Sequence, residues 1–155
     1  LDSYRQHQPI LIAFVCNHCP YVVHILDHLV AMAHQYKNQV KTLFISSNDV
    51  KNYSQDSYDN MRHLALEKKI QFPYCFDESQ QVAKDYQAEC TPDIYLFNAD
   101  GLLYYRGRFD DSTPGNKKAV TGDDLKHAID ELLAGNPSPE DQRPSCGCSI
   151  KWLAD

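Results

Sequence analysis

A chain of 155 residues with 43% hydrophobic and 23% charged side chains has enough apolar material for one self-sufficient core, so no disulfide framework is needed to hold it together. Its net charge of −6 argues against nucleic acid or an anionic membrane as a partner, and no stretch approaches the roughly 18 apolar residues of a membrane-spanning helix. Six cysteines in such a chain read as chemistry rather than as scaffolding.

The chain opens at Leu1 without a methionine, so a further N-terminal segment is expected ahead of it. A cytoplasmic location is the first expectation, and a periplasmic one stays open. Ile10 to Val15 is an apolar run that reads as a strand, and Cys16-Asn17-His18-Cys19-Pro20 stands directly behind it. If a helix begins near Asn17, Cys16 lies at its N-terminus, where unpaired N–H groups and the helix dipole stabilise a thiolate. Cys19 then falls on the same helical face within disulfide reach, so that one cysteine attacks and the other resolves. His18, between them, offers a positive charge or a hydrogen bond to the Cys16 thiolate, which favours the reduced form and hence an oxidising couple. The other reading of such a pair is half of a zinc site.

Val22, Ile25, Leu26, Leu29, Ala33 and Tyr36 repeat at helical spacing, and Val40 to Ser46 reads as a second strand, parallel to the first across a right-handed crossover. Ser47 to Ser57 is polar and reads as a loop, followed by a helix with Met61, Leu64 and Ala65 inside. Phe72 to Phe76 is at most an edge strand, because Pro73 cannot donate to a ladder, and Cys75 among its aromatics is expected in the core. Asp77 or Ser79 can cap a short helix carrying Val82, Ala83 and Tyr86. Ile94 to Phe97 and Leu102 to Arg106 make a hairpin, and Thr121 to Asp124 resembles a capping box that opens a last helix ending at Gly135. The reading is one domain over residues 1–135 and a Pro- and Ser-rich tail over 136–155 packing on it, with Trp152 as the anchor in an apolar groove. His24 and His28 read as solvated helix histidines, and Tyr104-Tyr105 as an exposed apolar edge compatible with a monomer or a weak homodimer.

The order of strand, helix, strand, insert, hairpin and helix is that of the thioredoxin fold. It is an α/β arrangement with a central mixed sheet flanked by helices, here with an αβ insert and an extended C-terminal tail. Thr91-Pro92, just before the strand at Ile94, stands where thioredoxin-like proteins carry a cis proline facing the CxxC. Thr91 would then offer its backbone to an extended substrate chain by strand addition.

The runs Cys16 to Val22, Ser46-Ser47-Asn48-Asp49, Cys90-Thr91-Pro92-Asp93, Tyr105 to Arg108 with Asp110-Asp111, and Gly147 to Trp152 resemble a bacterial group of thioredoxin-like, peroxiredoxin-like proteins. These are filed with the redoxin, or alkyl hydroperoxide reductase/thiol-specific antioxidant, superfamily. The resemblance implies a thiol-dependent oxidoreductase and an N-terminal hairpin before Leu1. Two positions depart from it. Where peroxiredoxins place a threonine three positions before the peroxidatic cysteine this chain has Ala13, and where thioredoxin keeps a buried carboxylate it has Ile10. A proton acceptor must come from elsewhere, with Asp49, Asp93 and His18 as candidates. If the Thr91-Pro92 loop packs on the CxxC, Cys90 brings a third thiol close, its alternative being a small buried hydrophobe. Cys148 is a candidate additional resolving thiol, while Cys146 and Cys148 could instead form a loose redox or metal pair.

The expected activity is thiol–disulfide exchange on a protein disulfide or a peroxide, with an unidentified thiol as reductant and no cofactor beyond the thiols. The alternative is a binding module whose thiolates hold zinc or copper(I).

Overall fold

A computed structural model describes residues 1–155. The first short helix is α1, Asp2–Arg5; strand β1, Ile10–Phe14, leads into helix α2, Pro20–Gln35, and strand β2, Lys41–Ser46. After a 3-10 turn at Ser54–Asp56 come helix α3, Tyr58–Glu67, strand β3, Tyr74–Phe76, and helix α4, Gln81–Asp85. Strands β4, Cys90–Thr91, β5, Asp93–Phe97, and β6, Leu103–Gly107, precede helix α5, Asp123–Leu133, and a final strand β7, Cys148–Ser149.

Five strands form one sheet in the order β3-β2-β1-β5-β6. β3, β2 and β1 are parallel, β5 is antiparallel to β1, and β6 is antiparallel to β5. The central strand β1 is buried along its whole length, which is what a strand covered on both faces requires. Its alternation splits the core in two. Leu11 and Ala13 face α2 and α5, packing with Val22, Leu29, Leu125 and Ile129, while Ile10, Ile12 and Phe14 face the opposite layer with Ala83, Tyr95 and Ile150.

Several expectations are corrected. Helix α2 begins at Pro20, with Cys19 as its extended N-cap at φ −61°, ψ 125°. The residue before a proline is driven away from helical backbone, whereas proline itself suits the first helical position, so the helix cannot start at Asn17. Cys75 is exposed, because β3 is the sheet edge and only short elements cover that side. No capping box opens α5; its N-cap is Gly122 at φ 70°, and the Asp110 carboxylate receives the N–H groups of Thr121 and Gly122, each at 2.8 Å. Both proposed caps act at α4, where Ser79 receives the Gln81 N–H and Asp77 those of Val82 and Ala83.

The tail follows a defined course. It first covers the edge strand β6: the Arg106 N–H donates to Gln142 Oε1 (2.9 Å), and Ser145 Oγ donates to Gly107 O (2.9 Å). Tyr104 and Tyr105 are therefore buried, their hydroxyls donating to Asn136 O and Arg108 O, and they present no free apolar edge. The tail then pairs as β7 with β4, and Ile150, not Trp152, plugs into the core; Trp152 is exposed. Gln80 closes its end by donating to Ser47 O (2.7 Å) and Lys151 O (2.9 Å) and accepting from the Leu153 N–H (2.9 Å).

Candidate active site

Cys16 and Cys19 lie just past the carboxyl end of β1, each about 1% exposed, and all six thiols of the chain are free. The turn between them is held from outside. The Asn17 N–H donates to Asp56 Oδ1 (2.8 Å), its side-chain amide to Gln55 O (2.9 Å), and its side-chain oxygen accepts from the Tyr74 hydroxyl (2.9 Å). The bend folds the chain back so that the Cys19 N–H donates to Cys16 Sγ at 3.3 Å.

The Thr91–Pro92 peptide bond is cis and the loop packs on the two thiols. Thr91 Oγ1 lies 3.7 Å from Cys16 Sγ, and Cys19 Sγ donates to Thr91 O at 3.3 Å. Two opposed influences act on the sulfurs. The hydrogen bond from Cys16 draws the Cys19 thiol down to about 4 against the cost of burial, and Cys148 and Thr91 add to the effect. The same bond, burial and the nearby Asp56 carboxylate push Cys16 up. The backbone acts on both: it gives Cys16 the Cys19 N–H, the Val22 N–H lowers Cys19 as well, and Cys19 is set against the Thr91 carbonyl, which accepts from a thiol but repels a thiolate. One negative charge is thus shared by two sulfurs, and a second is opposed by the first.

The carboxylate beside the pair is Asp56, which the sequence reading missed. It is fully buried at the end of the 3-10 turn, accepts from Asn17 N–H and from Asn48 Nδ2 (2.9 Å), and lies within 4.8 Å of both Cys16 and His18 through one oxygen. His18 turns toward Asp56: Nδ1 is 2.8 Å from Asp56 Oδ2 but out of line for a hydrogen bond, and the ring stacks on Tyr53. The other two expected proton acceptors lie elsewhere. Asp49 binds the Lys51 N–H and Asn52 Nδ2 within its own loop, which holds its carboxyl below the usual range. Asp93 receives Arg106 Nη2 (3.1 Å) and the Glu89 N–H (3.1 Å). Asp56 is one of two acids, with Asp49, in the polar loop behind the second strand, and nothing in that loop ties it to Cys16.

Cys90 does not join the pair. Thr91 faces the thiols, so its strand neighbour faces away; Cys90 Sγ lies 3.5 Å from Pro92 O, where burial and Asp93 push it up to about 12. The third thiol is Cys148. In the β4–β7 ladder Cys148 stands opposite Thr91, and its side chain packs against the cluster that contains Cys16 and Cys19. Burial and the hydrogen bond with Cys19 push Cys148 up to about 11. Gly147 makes the approach possible: a Cβ there would lie 2.1 Å from Thr91 O. The edge of Thr91, expected to receive a substrate chain, is occupied by the tail itself. His24 meets Ser112 Oγ at 3.0 Å and His28 is exposed, so the two do not converge.

Comparison with known proteins agrees with this fold. An uncharacterized conserved protein from Geobacillus kaustophilus is 46% identical over 100% of this chain and 82% of its own, with a TM-score of 0.96. A hypothetical protein from Sinorhizobium meliloti 1021 is 39% identical over 99% and 84% of the two chains, also with a TM-score of 0.96. A secreted Mycobacterium tuberculosis disulfide oxidoreductase homologous to E. coli DsbE shares the fold, with a TM-score of 0.61 at 16% identity over 81% and 83% of the two chains. No curated protein matches. The AhpC/TSA family matches residues 1–106, a stretch that holds the CxxC, Asp56 and the cis Thr91–Pro92 bond, and the chain belongs to that family of thioredoxin-like proteins.

Proposed function

We propose that this protein is a thiol–disulfide oxidoreductase in which Cys16 is the nucleophile and Cys19 the resolving thiol, with a peroxide or a disulfide as substrate. The observation that carries the reading is the pair itself: two buried thiols at the mouth of β1, with the Cys19 N–H on Cys16 Sγ and the cis Thr91–Pro92 loop against both. A thiol proton can swing from one sulfur to the other, and what favours the attacking charge on Cys16 is that Cys19 faces the Thr91 carbonyl, which repels a thiolate, whereas Cys16 meets the Cys19 N–H. In attack on a disulfide, Cys16 forms a mixed disulfide and Cys19 displaces the product. In attack on a peroxide, Cys16 becomes a sulfenic acid, water leaves, and Cys19 condenses with it, releasing a second water. Family membership supports peroxide, while Ala13 removes the hydroxyl by which peroxiredoxins orient it.

Cys16→Ser is expected to abolish reduction of both insulin disulfides and hydrogen peroxide, and Cys19→Ser to accumulate a mixed disulfide seen by mass spectrometry. Parental rates in Cys16→Ser would make the assignment wrong. A second reading rests on Cys16, His18 and Asp56, whose ligand atoms all lie within 4.8 Å of one another, a set able to take zinc or copper(I). Stoichiometric metal in protein purified without chelator, lost in Cys16→Ser, would replace the oxidoreductase reading by this one.

A further inference from the structure

The catalytic pair is almost sealed from solvent, yet an oxidised pair has to be re-reduced by something outside. The thiols nearby differ in depth: Cys16 and Cys19 are about 1% exposed, Cys148 is half-buried, and Cys146 is exposed. The tail brings Cys148 to the pair by backbone pairing, with Thr91 opposite Cys148 and Cys90 opposite Ser149. That is the geometry in which an extended substrate would add to this edge, and the substrate position is filled by the chain's own segment. The segment is built in: Gly147 allows contact with Thr91 O, Ile150 is buried, and Asn48, Asp49 and Gln80 bond the backbone of Lys151.

Resting on the oxidoreductase reading above, we propose that β7 is a tethered substrate-like strand, and that Cys148 is the port through which the buried Cys16–Cys19 pair exchanges disulfide bonds with thiols in solution. After oxidation of the pair, the Cys148 thiolate attacks Cys19 Sγ. The Cys19–Cys148 bond forms, the Cys16–Cys19 bond breaks, and Cys16 leaves as a thiolate, taking up the proton that Cys148 gave up. The number of disulfides is unchanged. An external thiolate then attacks the more accessible Cys148 Sγ and releases Cys19. A second external thiol cleaves the resulting mixed disulfide, so that two external thiols become one disulfide and the protein is reduced. Because the strand-addition edge is filled in cis, long polypeptide substrates are poor competitors for it and small oxidants are favoured.

The test uses the full chain, hydrogen peroxide as oxidant and glutathione as external thiol. One equivalent of peroxide, acid quenching, alkylation and non-reducing peptide mapping are expected to show a Cys19–Cys148 bond beside Cys16–Cys19. Cys148→Ser and Cys148→Ala are both expected to lower steady-state turnover by about tenfold while the first oxidation of Cys16 keeps its parental rate, since only re-reduction is routed through the tail. Cys146→Ser, off this route, is expected to turn over at close to the parental rate. A Cys16–Cys19 bond alone, together with parental turnover in both Cys148 variants, overturns the proposal. Cys16→Ser run in parallel separates the two failures: oxidation of that variant at the parental rate sinks the nucleophile assignment, whereas an inert Cys16→Ser beside an unaffected Cys148→Ser sinks the relay alone.

Discussion

Asp56 is the carboxylate that bears on the Cys16–Cys19 pair. Its carboxylate is fully buried, its two oxygens receive Asn17 and Asn48, and its charge opposes ionisation of Cys16. Asp56→Asn keeps an acceptor for the Asn17 N–H and removes the charge. The ultraviolet absorbance of the thiolate should then disappear at a lower pH in the variant than in the parent. The sign follows from the charge: the Asp56 carboxylate raises Cys16, so without it a thiolate on Cys16 is easier to hold and persists to lower pH. A midpoint that rises instead assigns Asp56 to proton uptake from Cys16. Cys16, Cys19, Thr91 and Pro92 were legible in the sequence because each announces itself by local spacing or by an adjoining strand. Asp56 was not, because its partner Asn17 lies 39 positions away and only the parallel pairing of β1 and β2, with the turn behind it, brings the two together.

Among the elements, α5 shows how a plausible local signal yields to a distant one. Thr121 to Asp124 has the look of a capping box, yet Thr121 Oγ1 meets only the Asp123 N–H at 3.3 Å, and the orphan donors ahead of the helix go to Asp110. Gly122 cannot carry a capping side chain, for a Cβ there would lie 2.5 Å from Met32 Cε and 2.6 Å from Phe109 Cζ. Burial alone would raise the Asp110 carboxyl, but Ser112, Gly122 and Thr121 outweigh it and hold the group below the ordinary carboxylate range. Asp110→Ala should cost about 3 kcal/mol at neutral pH, the scale of hydrogen bonds to a charged acceptor. A folded-state pKa below the unfolded value of about 3.9 gives stability that is full above that pH and is lost as the pH falls through the folded value. Urea titrations at neutral pH and near pH 3 should therefore show the gap between variant and parent narrowing in acid. A gap that is constant with pH would mean that Asp110 acts through packing and not through charge. The same tension moved the start of α2, where proline chemistry overrode apolar periodicity.

At the scale of the molecule, the tail joins the sheet's open edge to the candidate active site and to the loop after β2. Gln80 is its clasp, a buried amide with three backbone partners. Gln80→Ala removes the partner of the Ser47 carbonyl and of the Leu153 N–H, while Lys151 O keeps the Asp49 N–H, and should cost about 1–3 kcal/mol, with faster amide exchange at residues 150–153 and unchanged exchange in β1 and β2. Uniform acceleration across the sheet would show instead that the tail is cooperative with the core. The sequence marked the tail's cysteines and its Pro-rich stretch, but it pointed to Trp152 as the anchor. Ile150 takes that place because the β4–β7 register, which no local pattern encodes, turns it inward. The contact between Lys151 and Asn48 spans 103 positions of sequence. On a ribosome, the thiols, Asp56 and the Thr91–Pro92 loop are all translated before the strand that covers them. A nascent chain therefore passes through an interval in which Cys16 is assembled but unguarded, open to stray oxidants and foreign thiols until residues 147–153 emerge and dock.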